Sequence, residues 1–163
     1  GIAQRGKCSM GWFFGFKLNL ICNEKGELLN FMITPGDVDD RKPLEYKDFV
    51  DFIYGKLVGD KGYISKNLFQ RLCVDGIQLI TKLKSNMKGA LMSVSDRLLL
   101  RKRAIIETVN DELKNIAQVE HSRHRCFDNF IVNLLGAIAA YCLFPKKPCI
   151  NVQRTIDTQL ALF

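Results

Sequence analysis

The stretch from Arg103 to Lys114 sets one carboxylate between two cations at helical spacing. At about 100° per residue, Arg103, Glu107 and Lys114 fall within about 40° of one another on a helix. The apolar residues of the same stretch occupy a different face, as they do in a helix that packs against a core. The charged face could bind a metal ion or a phosphate. It could equally be a solvated surface, with an Arg–Glu pair worth about 0.2–0.5 kcal/mol.

A second carboxylate, Asp60, follows the short apolar run 56–59, which is predicted to be a strand. Open α/β sheets present their sites at the carboxyl ends of strands, although aspartate is also common in turns. If the helix with Glu107 packs on the sheet, the two carboxylates can converge. Two carboxylates suit Mg²⁺ or Mn²⁺. A pair of such ions would clamp the attacking and leaving oxygens of a phosphodiester.

Basic residues surround these two acids in the sequence. The chain has 24 Lys and Arg against 17 Asp and Glu, a formal charge of +7. Ten of the basic and five of the acidic residues lie between Lys82 and Arg125. Such a segment favours an anionic partner, with nucleic acid as the first candidate, although a solvated surface has the same pattern. The lysines that could follow a nucleic-acid backbone are Lys61, Lys82, Lys84 and Lys88.

The order of predicted elements is that of an α/β protein with a mixed sheet. Apolar runs and alternation predict strands, and helical periodicity predicts helices without internal Gly or Pro. Residues 1–10 have no period, and 150–163 are expected to be a loosely held tail. The apolar run 130–144 is too short to span a bilayer. The predicted strands are 13–22, 28–34, 56–59 and 77–83, and the predicted helices are 44–54, 65–74, 96–118 and 127–144.

Several other chemistry-bearing residues have simpler explanations. The six cysteines form no C-x-x-C pair, which predicts reduced and mostly buried thiols. His121 and His124 lack a second ligand pair at metal-site spacing, so phosphate contact and surface packing are the alternatives for them. Trp12 and the phenylalanines around it are expected in the core. The acidic set Asp37, Asp39 and Asp40 is expected to cap the helix that follows.

Two motifs together resemble those of bacterial insertion-sequence DDE transposases. They are the turn Gly59-Asp-Lys-Gly-Tyr63 and the signature Arg103-x3-Glu107-x6-Lys114. Either motif alone is weak, and their combination is fairly specific. The stretches 11–17, 35–41 and 120–125 also resemble one branch of that family. The similarity runs to about Pro148, which predicts a catalytic domain over residues 1–148 and a C-terminal tail over 149–163.

The resemblance implies an RNase H-like fold and metal-dependent DNA strand cleavage followed by strand transfer at transposon ends. Asp60 and Glu107 would be the metal-binding carboxylates, with Mg²⁺ or Mn²⁺ as cofactor. Arg103 and Lys114 would contact DNA near the cut, assisted by Lys61, Tyr63, Lys82 and Lys84. The implied partner is double-stranded DNA, both transposon ends and target, with a homodimer on DNA as a further expectation. The implied location is the bacterial cytoplasm, at the nucleoid when DNA is bound.

Two departures from the family pattern stand out. The signature usually opens with a Tyr three residues before the Arg, and this chain has Leu100 there. The family's first catalytic Asp lies on a central strand upstream of segment 11–17, and only ten mostly polar residues precede that segment here. We therefore expect an N-terminally truncated domain with a gap in its sheet, inactive alone. Asp37, Asp39 and Asp40 are not expected to replace the missing ligand, because they follow a strand and a Pro-Gly turn.

Three other functions stay open on the sequence. A non-catalytic DNA-binding remnant would bind DNA through its basic residues with steep salt dependence and no need of metal. A nuclease on the same fold would differ from a transposase only in substrate preference. A structural or interaction domain would leave the charged helix solvated and would not bind DNA near physiological salt.

Overall fold

The computed structural model describes residues 3–8, 11–82, 93–119, 126–149 and 160–163, without the side chains of Cys8, Lys61 and Lys102. The strands are β1 (Gln4–Cys8), β2 (Gly11–Asn23), β3 (Leu28–Pro35), β4 (Gly55–Gly59), β5 (Ile77–Thr81) and β6 (Leu160–Leu162). The helices are α1 (Lys47–Val50), α2 (Lys66–Val74), α3 (Val94–Lys102), α4 (Ala104–Asn115) and α5 (Phe127–Cys142). Short 3-10 turns occupy Lys42–Glu45 and Lys61–Tyr63.

The six strands form one mixed sheet in the order β1-β2-β6-β4-β5, and β3 also pairs with β2. Strand β4 runs parallel to both β5 and β6, whereas β2 is antiparallel to β1, β3 and β6. This confirms the predicted α/β class with a mixed open sheet flanked by helices. The arrangement is compatible with an RNase H-like fold.

Two apolar cores cover the two faces of the sheet. The first, here the α4 core, joins sheet residues such as Val58 and Leu162 to buried residues of α3, α4 and α5. The second, the α2 core, joins Leu57 and Ala161 to α1, α2 and the 3-10 turn before α1. Neighbouring residues of β4 and of β6 therefore point to opposite cores, as the pleat of a strand requires. Burial on both faces explains their apolar sequences.

The predicted helix 96–118 is two helices, α3 and α4, that meet at Arg103. Arg103 keeps helical dihedral angles, and its carbonyl accepts from the amide of Ile106, three residues on. The interruption occurs without Gly or Pro, so the sequence pattern contained no signal for it. An ion pair ties α3 to β4, with Lys56 Nζ 2.8 Å from Asp96 Oδ1.

Replacing Asp96 with Asn is expected to lower the free energy of unfolding at pH 7 by up to about 1 kcal/mol. The hydrogen bond from Lys56, helped by one with Ser93, lowers the pKa of Asp96 below its ordinary value. A carboxylate with a depressed folded-state pKa stabilises the fold above its unfolded pKa, near 3.9, and loses that contribution as the pH falls through the folded pKa. Urea unfolding at pH 7 and near pH 2 measures the difference, which should shrink on acidification. An equal difference at both pH values would contradict the ion pair.

The two ends of the described chain differ from the prediction. Residues 4–8, which have no sequence period, form β1 because each of them pairs with a residue of β2. Residues 160–163 are not loosely held, since all four are buried and Leu160–Leu162 lie between β2 and β4. The predicted gap at the centre of the sheet is therefore occupied by β6. The division of the chain at residue 148 stays a prediction.

Some of the remaining predicted elements agree with the structure and others do not. The β2–β3 hairpin, α2 and α5 are confirmed, with Ser65 capping α2 through the amide of Leu68. The predicted helix 44–54 is wrong, because a 3-10 turn and the four-residue α1 take its place.

Of the five cysteines with described side chains, only Cys22 is buried, so the expectation of mostly buried thiols is also wrong. No helix in the described part of the chain is long and apolar enough to cross a membrane.

Candidate active site

A cavity of about 840 Å³ lies where β4 ends and α4 begins. Both predicted carboxylates, Asp60 and Glu107, line it, together with Arg103, Tyr63 and Phe163. The strand end and the helix that carry these acids thus contribute to the same cavity. The roles of the individual residues stay predictions.

Asp60 is positioned by the tight turn that follows β4. The amide of Tyr63 donates to the carbonyl of Asp60 at 3.0 Å, which closes the 3-10 turn. A Cβ at Gly59 would lie 3.2 Å from the Tyr63 ring, so the glycine allows the ring to fold back over the strand. The same ring meets Phe163 edge to face, with centroids 5.0 Å apart. The Gly-Asp-Lys-Gly-Tyr turn therefore holds its aspartate at the cavity by packing its tyrosine.

Glu107 is positioned by the buried face of α4. Ile105, Ile106 and Val109 are at most 5% exposed in the α4 core, which leaves Glu107 on the opposite side, 61% exposed. Arg103 Nη2 lies 2.8 Å from Glu107 Oε1, so the predicted pair at i,i+4 is present. The guanidinium therefore holds one of the two carboxylates at the cavity wall.

The pKa of Tyr63 depends on its burial and on the charged residues around it. Its pKa is raised to about 12, mainly by burial and also by the carboxylates of Asp40 and Asp60, while Arg103 opposes the rise. The phenol therefore keeps its proton at neutral pH. It is therefore a possible hydrogen-bond donor among the residues that line the cavity.

The acidic loop after β3 also lines the cavity, with Asp37, Asp39 and Asp40. Lys17 Nζ donates to Asp40 Oδ1 and to the carbonyl of Val38, each at 2.8 Å. Arg41 binds the Asp39 carboxylate with two side-chain hydrogen bonds, which hold the pKa of Asp39 well below its usual range. These aspartates do not cap a helix, because no side chain caps the 3-10 turn that begins at Lys42.

Several predicted site residues are not brought to the cavity. Lys82 and Lys114 are exposed, and neither is among the residues that line it. Lys114 is seven residues beyond Glu107 on the same helix, which is about 10 Å along its axis. The Lys61 side chain and the residues Lys84, Lys88, His121 and His124 lie outside the described part of the chain.

The structure adds cavity residues that the sequence did not single out. Arg5, Lys7 and Trp12 come from the β1–β2 hairpin, and Asn110 comes from α4. The Lys7 ammonium lies 5.7 Å from the centroid of the Trp12 ring. The indole is 69% exposed, so the expectation that Trp12 belongs to the core is wrong. The sequence signal for this part of the cavity was a segment that combines basic residues, Arg5 and Lys7, with the aromatic Trp12.

The donor atoms at the cavity fit a hard divalent cation. Mg²⁺ is usually held by one or two protein carboxylates, with water and substrate phosphates completing its shell. Asp60 and Glu107, which line the same cavity, supply two such carboxylates. No group of three or more His, Cys, Asp or Glu in the described residues could hold a metal ion by itself. The two carboxylates therefore fit a cation whose remaining ligands are water and phosphate oxygens.

Comparison with known proteins gives one match, which covers most of the chain. No curated protein and no solved structure gives a significant match. A family model described as Transposase DDE domain matches residues 1–127, which is well over half of the chain. Transposases act on DNA, and those of the DDE family generally use divalent metal ions. This chain therefore belongs to the DDE transposase family.

Proposed function

We propose that this chain is the catalytic domain of a DNA transposase, which cleaves DNA strands at transposon ends and transfers them to a target. The supporting observation is that Asp60, at the end of β4, and Glu107, on α4, line the same cavity. These two carboxylates would hold Mg²⁺ or Mn²⁺, which would polarise the scissile phosphate and activate the attacking oxygen. Residues 1–148 would form the catalytic domain.

The other cavity residues would bind and orient the DNA. Arg103, already at the carboxylate of Glu107, would turn to a phosphate oxygen once a cation occupied that carboxylate. Tyr63 would donate a hydrogen bond, since its raised pKa keeps it protonated. Arg5 and Lys7, which also line the cavity, would neutralise backbone charge. The DNA would be double-stranded, and a homodimer on it would bring two ends together.

Replacing Asp60 with Asn or Glu107 with Gln is expected to weaken Mn²⁺ binding at least about tenfold, because each change removes a charged ligand. The loss of the free-ion electron paramagnetic resonance signal on titration measures the affinity. The matched control is Asp111→Asn, an exposed carboxylate on α4 that does not line the cavity. Unchanged affinity in both site variants would remove the metal from the proposal.

Binding of a labelled DNA duplex separates the catalytic proposal from a DNA-binding remnant. A remnant would bind DNA with steep salt dependence and without metal, and Glu107→Gln would change nothing. The proposed site predicts that Mn²⁺ strengthens DNA binding in the original chain and not in the Glu107→Gln variant. A nuclease on the same fold would show the same metal effect without preference for transposon ends.

A further inference from the structure

The outer face of α5 is apolar and exposed. Val132, Leu135 and Leu143 are 69%, 47% and 83% exposed, and Gly136, Ala139 and Ala140 are exposed beside them. Helices on the surface of a domain normally have charged or polar residues opposite their buried face. A contiguous apolar surface is instead typical of an interaction site. The buried residues on the opposite side of α5 are Leu134, Ala137, Ile138 and Tyr141.

Gly136 has no packing role that its neighbours explain. No atom of the described residues lies within 4 Å of a Cβ built at this position. A glycine inside a helix is destabilising relative to alanine, and it is used where another backbone must come close. Gly136 therefore leaves space on the outside of α5 for the close approach of a second helix.

The exposed residues recur along α5 at intervals of four, three and four. Val132, Gly136, Ala139 and Leu143, here the α5 seam, have the spacing that packs knobs into holes between two helices. Their sizes are large, small, small and large, and this order is the same from either end. In an antiparallel pair with a two-fold axis at the middle of the seam, Val132 lies opposite Leu143 of the second copy. Gly136 then lies opposite Ala139, so the small residues meet where the helices cross.

The charges of the chain favour the same partner. The chain has a net charge of +7, but residues 129–145 contain no Asp, Glu, Lys or Arg. Two copies of a basic chain repel each other, so they associate most readily through a surface without charge. Exposed residues of opposite charge flank this surface, Asp128 in the first turn of α5 and Lys146 beyond its last turn. An antiparallel pair brings Asp128 of one copy toward Lys146 of the other.

We propose that the α5 seam is a self-association surface, through which two copies of this chain pair with their α5 helices antiparallel. The seam is about 17 Å long. One helix pair of this length covers less than the about 1,600 Å² of a standard interface, so association in the micromolar range is expected. The described residues that line the active-site cavity come from other elements. Use of the pair to hold two DNA ends rests on the proposed function, whereas the association itself does not.

Sedimentation velocity of the chain without DNA, from micromolar to near-millimolar concentration, measures the association. A reducing buffer is used because Cys142 and other cysteines are exposed. Val132→Lys and Leu143→Glu are each expected to weaken the association at least about tenfold, because each pair would then contain two charges without partners. The matched control is Val74→Lys, which changes an 86% exposed valine of α2 and should leave the association unchanged. Circular dichroism checks that each variant is folded.

The double variant Val132→Lys/Leu143→Glu tests the orientation of the pair. In an antiparallel pair each introduced lysine lies opposite an introduced glutamate. The double variant should therefore associate at least about threefold more tightly than either single variant. In a parallel pair like charges would lie opposite each other, and the double variant would associate most weakly of all.

Salt separates pairing through α5 from association through bound nucleic acid. Raising the NaCl concentration from about 0.1 M to about 0.5 M screens the repulsion between two basic chains, so the pairing should not weaken. Association through nucleic acid would weaken steeply over the same range, and that result would overturn the proposal.

Each remaining outcome also decides the proposal. A chain that is monomeric at every concentration would overturn it and leave this face to a different partner. Equal association of the original chain and Val132→Lys would exclude the α5 seam as the interface. A double variant weaker than both single variants would overturn the antiparallel orientation. Mn²⁺ binding at Asp60 and Glu107 requires no pairing, so failure of the metal test and failure of the pairing are distinguishable.

Discussion

Replacement of Val109 with aspartate is expected to lower the free energy of unfolding by about 3–5 kcal/mol, as an uncompensated buried charge does. Val109 is fully buried in α4, where it packs with Val58, Leu162 and other apolar side chains of the α4 core. Domains of this kind are stable by only about 5–15 kcal/mol, so the change removes a large share of the total. Guanidinium denaturation followed by circular dichroism measures the loss.

The neighbouring residue provides the control. Thr108 is exposed on the same helix, and Thr108→Asp should change the stability by no more than about 0.5 kcal/mol. Equal losses in the two variants would mean that the helix is not packed on the sheet through the face that contains Val109. Glu107 would then not be directed to the cavity.

Replacement of Tyr141 with alanine is expected to cost about 3–5 kcal/mol, the range for large aromatic side chains in cores. Tyr141 is fully buried, and its ring lies 5.5 Å from that of Phe144. Its hydroxyl donates to the carbonyl of Gly26 at 2.6 Å, which ties α5 to the β2–β3 turn. Burial, together with the nearby Glu112, raises the pKa of Tyr141 far above its usual value, so this donor stays protonated.

Tyr141→Phe separates the ring from the hydroxyl. It keeps the ring and leaves the Gly26 carbonyl without this donor, so a smaller loss of about 1–3 kcal/mol is expected. Both variants are compared by guanidinium denaturation at pH 7. A loss from Tyr141→Phe as large as that from Tyr141→Ala would contradict the assignment of most of the energy to the ring.

Local signals in the sequence predicted the elements around Asp60 well. Ser65 and Gly76 limit α2 through a side-chain cap and a positive φ of 76°, both of which depend on residues close in sequence. The apolar run before Asp60 is β4, because burial on both faces favours such a run. The placement of Asp60 and Glu107 at one cavity followed from a strand end and a helix face.

Local sequence signals could not predict which distant strands pair or which aromatic side chains are exposed. A three-residue strand such as β6 has no period of its own, and its place depends on partners far away in sequence. Trp12 and Phe14 alternate with Phe13 as strand residues do, but they are 69% and 73% exposed. Residue type alone favours burial of such aromatics, whereas in the structure Trp12 lines the cavity.

The order of strands also determines when the sheet can be completed during synthesis. The ribosome delivers residues 160–163 after every other described element, although they belong at the middle of the sheet. Val58 and Leu162, which pair in the native sheet, are more than a hundred residues apart in the chain. Contacts at such separation form slowly, and facing strand edges left unpaired meanwhile invite association between nascent chains. The nascent protein therefore passes through a stage in which β2 and β4 await their common neighbour.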